Sequence, residues 1–239
     1  MSPSAFNVRA SPFVKICCIT SRQEALFAIE AGADAIGLVS HMPSGPGVID
    51  DALIADIAAH IAQHFNNDAA RPGQKPVQTF LLTAEQTAAG IAAQHAVCNT
   101  TTLQLVDDVP PQELLALRRL LPEVELVQVI HVNGEDALQR ALAVAPLVDL
   151  LLLDSGNPQL PVKQLGGTGR THDWSVSQRI KAQSPVPVLL AGGLNAGNAR
   201  QALGAVRPHG LDVCSGVRSE GLLDRAKLAD FMRAVKSVG

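Results

Sequence analysis

Leu211-Asp-Val-Cys-Ser-Gly-Val-Arg218 repeats the chemistry of an earlier stretch, Val188-Leu-Leu-Ala-Gly-Gly-Leu-Asn195. In each, a short apolar run ends in a glycine-bearing turn, and a helical pattern follows. Backbone N–H groups approach an anion closely where no side chain intervenes, and the positive end of the next helix stabilises the charge. Two such turns in succession read as a phosphate cradle built from consecutive strand ends. In an eight-stranded parallel barrel that cradle lies after strands seven and eight. The last third of the chain therefore points to a sugar-phosphate enzyme.

Outward from these turns, short β-rich runs alternate with longer Ala-rich helical windows. Eight strands are predicted, at Phe13–Ile19, Ala35–Val39, Val77–Leu82, Thr102–Leu105, Leu126–His131, Val148–Leu153, Val188–Leu190 and Leu211–Val213. Helices fall between them at Arg22–Ala31, Ala52–Gln63, Ala84–Gln94, Pro111–Leu120, Glu135–Val144, Trp174–Ala182, Ala196–Val206 and Asp224–Val235. The expected α/β fold is a closed (β/α)8 TIM barrel, because closure leaves no exposed sheet edge. A doubly wound open sheet is the alternative. Residues 1–12 read as an N-terminal extension and 13–239 as a single barrel domain. Phe65–Pro76 is a polar surface excursion, whereas Ser40–Gly47 and Ser155–Gly169 directly follow strands, where barrel loops handle substrate.

Composition narrows the partners. With 19 Lys and Arg against 22 Asp and Glu, a net charge of -3 and no block of like charge, nothing marks a nucleic-acid groove or an anionic membrane partner. The expected ligand is a small molecule. No apolar run reaches the roughly 18 residues that span a bilayer, and the first residues lack the apolar core of a leader. A cytoplasmic location is expected. The cysteines, Cys17, Cys18, Cys98 and Cys214, show no C-x-x-C pairing, and no histidines stand at zinc-finger spacing, so no structural metal is expected.

On the first strand, alternation sends Lys15 and Cys17 to the lumen and Val14, Ile16 and Cys18 toward the helices. By the same rule at most one of the adjacent Cys17 and Cys18 faces a given pocket. On the sixth strand, Val148-Asp-Leu-Leu-Leu-Leu-Asp154 ends an apolar run with a carboxylate at its tip, where a charge is costly unless solvated, paired or used. Thiol and carboxylate thus converge on the barrel mouth as base and acid for one sugar held by its phosphate. The Lys15 ammonium favours the thiolate and burial opposes it, a balance the residues leave open. Plainer roles also stand: Cys17 as a small buried hydrophobe, Asp154 as a cap or turn former, the glycines as simple turn geometry.

These residues also carry a family resemblance. Lys15-Ile-Cys-Cys-Ile-Thr20, Ala31-Gly-Ala-Asp-Ala-Ile-Gly37, Leu152-Leu-Asp-Ser155, Gly166-Gly-Thr-Gly-Arg-Thr-His-Asp-Trp174, Leu190-Ala-Gly-Gly-Leu-Asn195 and Asp212-Val-Cys-Ser-Gly-Val217 resemble the phosphoribosylanthranilate isomerases, in the same order along the chain. The resemblance implies a ribulose-phosphate-binding barrel that performs an Amadori rearrangement in tryptophan biosynthesis without a cofactor, as a monomer or homodimer. It implies Asp154 as the acid that protonates the furanose ring oxygen and Cys17 as the base that takes the proton from the adjacent sugar carbon. Gly167, Gly169, Gly192, Gly193, Ser215 and Gly216 match the positions that hold the phosphate.

The departures cluster at the aromatic end of the substrate. The family's Ser-Pro-Arg after the second strand, whose arginine holds the anthranilate carboxylate, is replaced by Ser40-His-Met-Pro-Ser-Gly-Pro-Gly47. Gln-Leu-His-Gly has become Gln104-Leu-Val-Asp107, Val-Phe-Val-Asn has become Phe80-Leu-Leu-Thr83, and K-I-C-G has become K-I-C-C, which is expected to crowd the strand's outer face at Cys18. Lys15, His41 and Arg218 are candidate substrate contacts, with exposed, idle side chains as the plainer reading of the last two. Three functions remain in view: the isomerase itself, a paralogue that isomerises another phosphorylated aminosugar or ribose derivative, and a phosphate-ligand-binding barrel without turnover.

Overall fold

The computed structural model describes residues 11–66, 76–156, 169 and 171–237. Gly167 and most of the Ser155–Gly169 loop, like most of the extension and of the Phe65–Pro76 excursion, lie outside the described residues. Eight parallel strands close into a barrel in sequence order: β1 (Phe13–Ile16), β2 (Ala35–Val39), β3 (Gln78–Thr83), β4 (Thr102–Leu105), β5 (Glu125–His131), β6 (Leu150–Asp154), β7 (Val188–Leu190) and β8 (Gly210–Val213). The last strand returns to the first, with Lys15 opposite Asp212 and Ile16 opposite Val213. Every strand is followed by a helix: α1 (Arg22–Glu30), α2 (Asp51–Phe65), α3 (Ala88–Cys98), α4 (Pro111–Leu120), α5 (Asp136–Val144), α6 (Trp174–Gln183), α7 (Ala199–Val206) and α8 (Arg225–Lys236).

Helix starts follow local chemistry. Ser21, Asp50, Thr87, Asp173 and Asp224 each place a side-chain oxygen on an N–H of the first helical turn, which would otherwise lack a partner. Thr87 explains why α3 begins at Ala88 and not at Ala84, as periodicity alone predicts. At the end of β8 a 3-10 turn (Ser215–Val217) leads into a two-stranded ribbon, β9 (Arg218–Ser219) with β10 (Leu222–Leu223). Its tip, Glu220-Gly221, has positive φ at both residues, as a tight hairpin requires.

Strand parity separates two apolar layers. Val14, Ile16, Leu38, Leu103, Leu153, Leu190 and Val213 pack outward with the helices, while Phe13, Val39, Phe80, Leu82, Val127, Leu150, Leu152 and Leu189 fill the lumen. The lumen also contains a charged pair: Lys15 is fully buried, its Nζ 2.9 Å from Asp212 Oδ1 and 5.3 Å from the centre of the Phe80 ring. An unpaired ammonium there would be prohibitively costly, so the carboxylate opposite it in register is part of the fold.

Candidate active site

A cleft opens at the C-terminal ends of the strands, and both Cys17 and Asp154 line it. Gly37, on the lumen side of β2, makes room for the first of these. A Cβ there would lie 2.9 Å from both Cys17 Sγ and Lys15 Nζ, closer than side-chain atoms tolerate. Cys17 continues the lumen parity of Phe13 and Lys15, and its N–H donates to the Val213 carbonyl at 2.8 Å.

Cys18 does not point outward as alternation predicts. β1 stops at Ile16, and Cys18 takes the left-handed backbone region at φ 63, which turns its side chain back into the cleft beside Cys17. The glycine of the related K-I-C-G motif adopts that conformation without strain; a cysteine does not. The expectation that only one of the pair faces the pocket is therefore corrected: both do, and Cys214 joins them. A hydrogen bond from the Cys18 thiol holds the Cys17 thiol below its usual pKa against burial, and the Lys15 ammonium acts in the same direction. Cys18 moves the other way, held well above the usual thiol value by its contacts with Cys17 and Cys214. Of the adjacent pair, Cys17 is thus the sulfur that gives up its proton more readily.

Asp154 ends β6 with 8% of its surface exposed, and Oδ1 accepts the Ser155 N–H at 2.7 Å. Burial pushes its carboxyl above its ordinary value, against the Ser155 N–H, the neighbouring His131 and the more distant Lys15. Burial thus favours the protonated form, the one that can donate. His131 stands opposite Asp154 in register on the same face. Its Nε2–H donates to the Val106 carbonyl at 2.9 Å, and its buried Nδ1 has no partner.

At the other end of the cleft, Gly192 and Gly193 carry φ of 83 and 62 in the turn after β7, and Ser215 opens the 3-10 turn after β8. All three line the cleft, as does Gly169. A Cβ on Gly192 would lie 2.9 Å from Ser155 Oγ. One on Gly216 would sit 1.9 Å from the Leu194 carbonyl oxygen, so this glycine presses the second turn onto the first instead of facing the cleft. The two glycine turns therefore form one continuous wall of main-chain groups.

The three candidate substrate contacts receive other places. Arg218 is buried, with Nη1 3.0 Å and Nη2 3.1 Å from the Glu24 carboxylate oxygens, and it also donates to the carbonyls of Cys17, Cys18 and Gly221. It clamps the end of β1 from behind and is neither a substrate contact nor an idle surface charge. His41 is exposed and outside the cleft, because the chain turns its neighbour Met42 inward instead. Lys15 lies beneath the cleft floor, where it acts on Cys17 and Asp212.

The sequence reading passed over Gln104, Met42, Asp212, His131 and Gly37. Gln104 lines the cleft from β4, and its buried Oε1, an acceptor, has no partner. Its place was legible in parity, since Leu103 and Leu105 both pack outward. Among the described residues, no cationic side chain lines the cleft.

Comparison with known proteins bears on the family and the fold. The family described as N-(5'phosphoribosyl)anthranilate (PRA) isomerase matches residues 14–234. The N-(5'-phosphoribosyl)anthranilate isomerase of Geobacter metallireducens is 35% identical over 226 residues, covering 94% of this chain and 98% of that protein. The crystal structure of phosphoribosyl anthranilate isomerase from Thermotoga maritima superposes with a TM-score of 0.76 at 27% identity, over 95% of this chain and 99% of that one. Another structure of this isomerase, in complex with reduced 1-(o-carboxyphenylamino)-1-deoxyribulose 5-phosphate, gives a TM-score of 0.72 at 26% identity, over 95% and 99% of the two chains. With the match running from the first strand to the last helix, the chain belongs to the N-(5'-phosphoribosyl)anthranilate isomerase family.

Proposed function

We propose that this barrel isomerises N-(5'-phosphoribosyl)anthranilate to 1-(2-carboxyphenylamino)-1-deoxyribulose 5-phosphate in tryptophan biosynthesis, with Cys17 as base and Asp154 as acid. One observation carries the assignment of roles: the Cys17 thiol, its pKa lowered, the Asp154 carboxyl, its pKa raised, and a wall of glycine-turn main chain share a single cleft. The phosphate rests on the turns of Gly169, Gly192, Gly193 and Ser215, with Gly216 fixing the second turn; Gly167, the remaining candidate, lies outside the described residues. Asp154 donates its proton to the furanose ring oxygen, and the ring opens to a Schiff base. The Cys17 thiolate then removes the proton from the adjacent sugar carbon. The resulting enolamine collapses to the ketone.

The anthranilate ring lies against Met42 and Leu82, with the Gln104 amide supplying a polar contact in place of the family's arginine. An amide donates a neutral hydrogen bond where a guanidinium donates two charged ones, so the carboxylate is held more weakly. The enzyme is a single cytoplasmic barrel over residues 13–239, monomeric or homodimeric, and uses no cofactor. That no helix among the described residues is long and apolar enough to cross a membrane accords with this assignment.

Complementation of a tryptophan auxotroph lacking the isomerase tests the reading. Growth is expected with the wild-type chain and not with Cys17→Ala or Asp154→Asn. If the wild type also fails to rescue while the purified protein binds ribose 5-phosphate more tightly than the reduced carboxyphenylamino product analogue, the substrate assignment is wrong.

A further inference from the structure

Three free thiols, Cys17, Cys18 and Cys214, line the cleft together. They come from opposite ends of the chain, and the hydrogen bond from Cys17 N–H to the Val213 carbonyl sets the ends of β1 and β8 side by side. The Cys18 thiol shares the cleft wall with Cys17 and Cys214 and is electrostatically coupled to both. It reaches that position only through the left-handed backbone at Cys18. Cys214 is the most exposed of the three.

The base needed for isomerisation is also the sulfur a hydroperoxide attacks first, since thiolate character and access govern both reactions. We propose that Cys18 and Cys214 are a modification site for hydroperoxides, a dithiol that takes over the oxidation of Cys17 and ends as a Cys18–Cys214 disulfide. The Cys17 thiolate attacks one peroxide oxygen, the O–O bond breaks, and the other oxygen leaves and is protonated to alcohol or water. Cys17 is then a sulfenic acid. The Cys18 thiol attacks that sulfur, its proton leaves with the sulfenic oxygen as water, and a Cys17–Cys18 bond forms. Adjacent α-carbons stand about 3.8 Å apart, inside the roughly 4.4 Å at which relaxed disulfides begin, so this bond is strained. The Cys214 thiolate attacks the Cys18 sulfur, and Cys17 departs as the thiolate. In sum, two thiols lose two electrons and two protons, and the peroxide is reduced to alcohol and water. The base is restored.

Recovery of turnover rests on Cys17 being the base; formation of the disulfide does not, so peptide masses and activity are read separately. The full chain, Cys18→Gly and Cys214→Ser are treated with hydrogen peroxide, alkylated, digested with trypsin and sequenced by tandem mass spectrometry. In the wild type, the Ile16–Arg22 peptide is expected joined through Cys18 to the Cys214 peptide, with Cys17 alkylated and activity retained. Cys214→Ser traps the adjacent bond, and activity stays off until dithiothreitol is added. Cys18→Gly accumulates sulfinic acid at Cys17 and loses activity irreversibly, about tenfold faster than the wild type. Sulfinic acid at Cys17 forming equally fast in the wild type and Cys18→Gly, or no Cys18–Cys214 link in the wild type, overturns the proposal. Inactive protein with the expected masses would instead fault the assignment of the base.

Discussion

Arg218 forks onto Glu24 from 194 residues away and, with the same guanidinium, holds the carbonyls of Cys17 and Cys18. The pair joins the ribbon after β8 to the first helix, and Glu24 also accepts the N–H groups of Thr20 and Leu223. Removing one partner of such a buried pair leaves the other charge uncompensated, at about 3–5 kcal/mol. Arg218→Met is expected to lower the thermal midpoint accordingly and to loosen the loop that carries the base. Against the cost of burial, Arg218 keeps the Glu24 carboxyl below its usual pKa, so this contribution is present above the ordinary carboxylate range and fades as pH falls through the native value. The gap in melting temperature between wild type and variant therefore narrows in acid.

Cys18 sets the ionisation of its neighbour. With a base that must be ionised and an acid that must be protonated, kcat/KM against pH is bell-shaped. Cys18→Gly removes the hydrogen bond that lowers the Cys17 pKa and is expected to move the thiol limb to higher pH. A profile identical to the wild type contradicts that coupling.

His131 acts on the other limb. Its imidazole favours the ionised form of Asp154, so His131→Leu should raise the Asp154 pKa further and carry the carboxyl limb to higher pH. Retention of the wild-type limb would show that the two side chains do not communicate.

Gly37→Ala tests the space around the base. The added methyl would meet Cys17 Sγ and Lys15 Nζ at 2.9 Å, and one of them must move. A displacement of about 1 Å at a reacting group costs on the order of a hundredfold in rate. Steady-state kinetics should show the loss in kcat, while circular dichroism shows the barrel intact.

The barrel was legible because its strands alternate cleanly and its helix starts carry capping residues. Ala35–Val39, Thr102–Leu105 and Val188–Leu190 were read to the residue. Cys17 and Asp154 were legible as a pair because one directly follows β1 and the other ends β6, both with lumen parity. What periodicity missed lies where strands stop. Alternation was carried through Cys18, although β1 ends before it and a positive φ reverses its direction. Arg218 was read from its position after the phosphate turn, but its partner Glu24 is on a helix near the other end of the chain, a pairing only the closed ring creates. His131 had no motif, and its meaning comes from the register of β5 against β6.

Lys15 with Asp212, Arg218 with Glu24 and Cys18 with Cys214 all cross the single seam where β8 returns to β1. A ribosome-bound chain that has not yet released its final strand can hold most of the ring but none of these contacts. Turnover should therefore arise in one step, when the last-made segment docks, and assaying stalled nascent chains of increasing length would time that event.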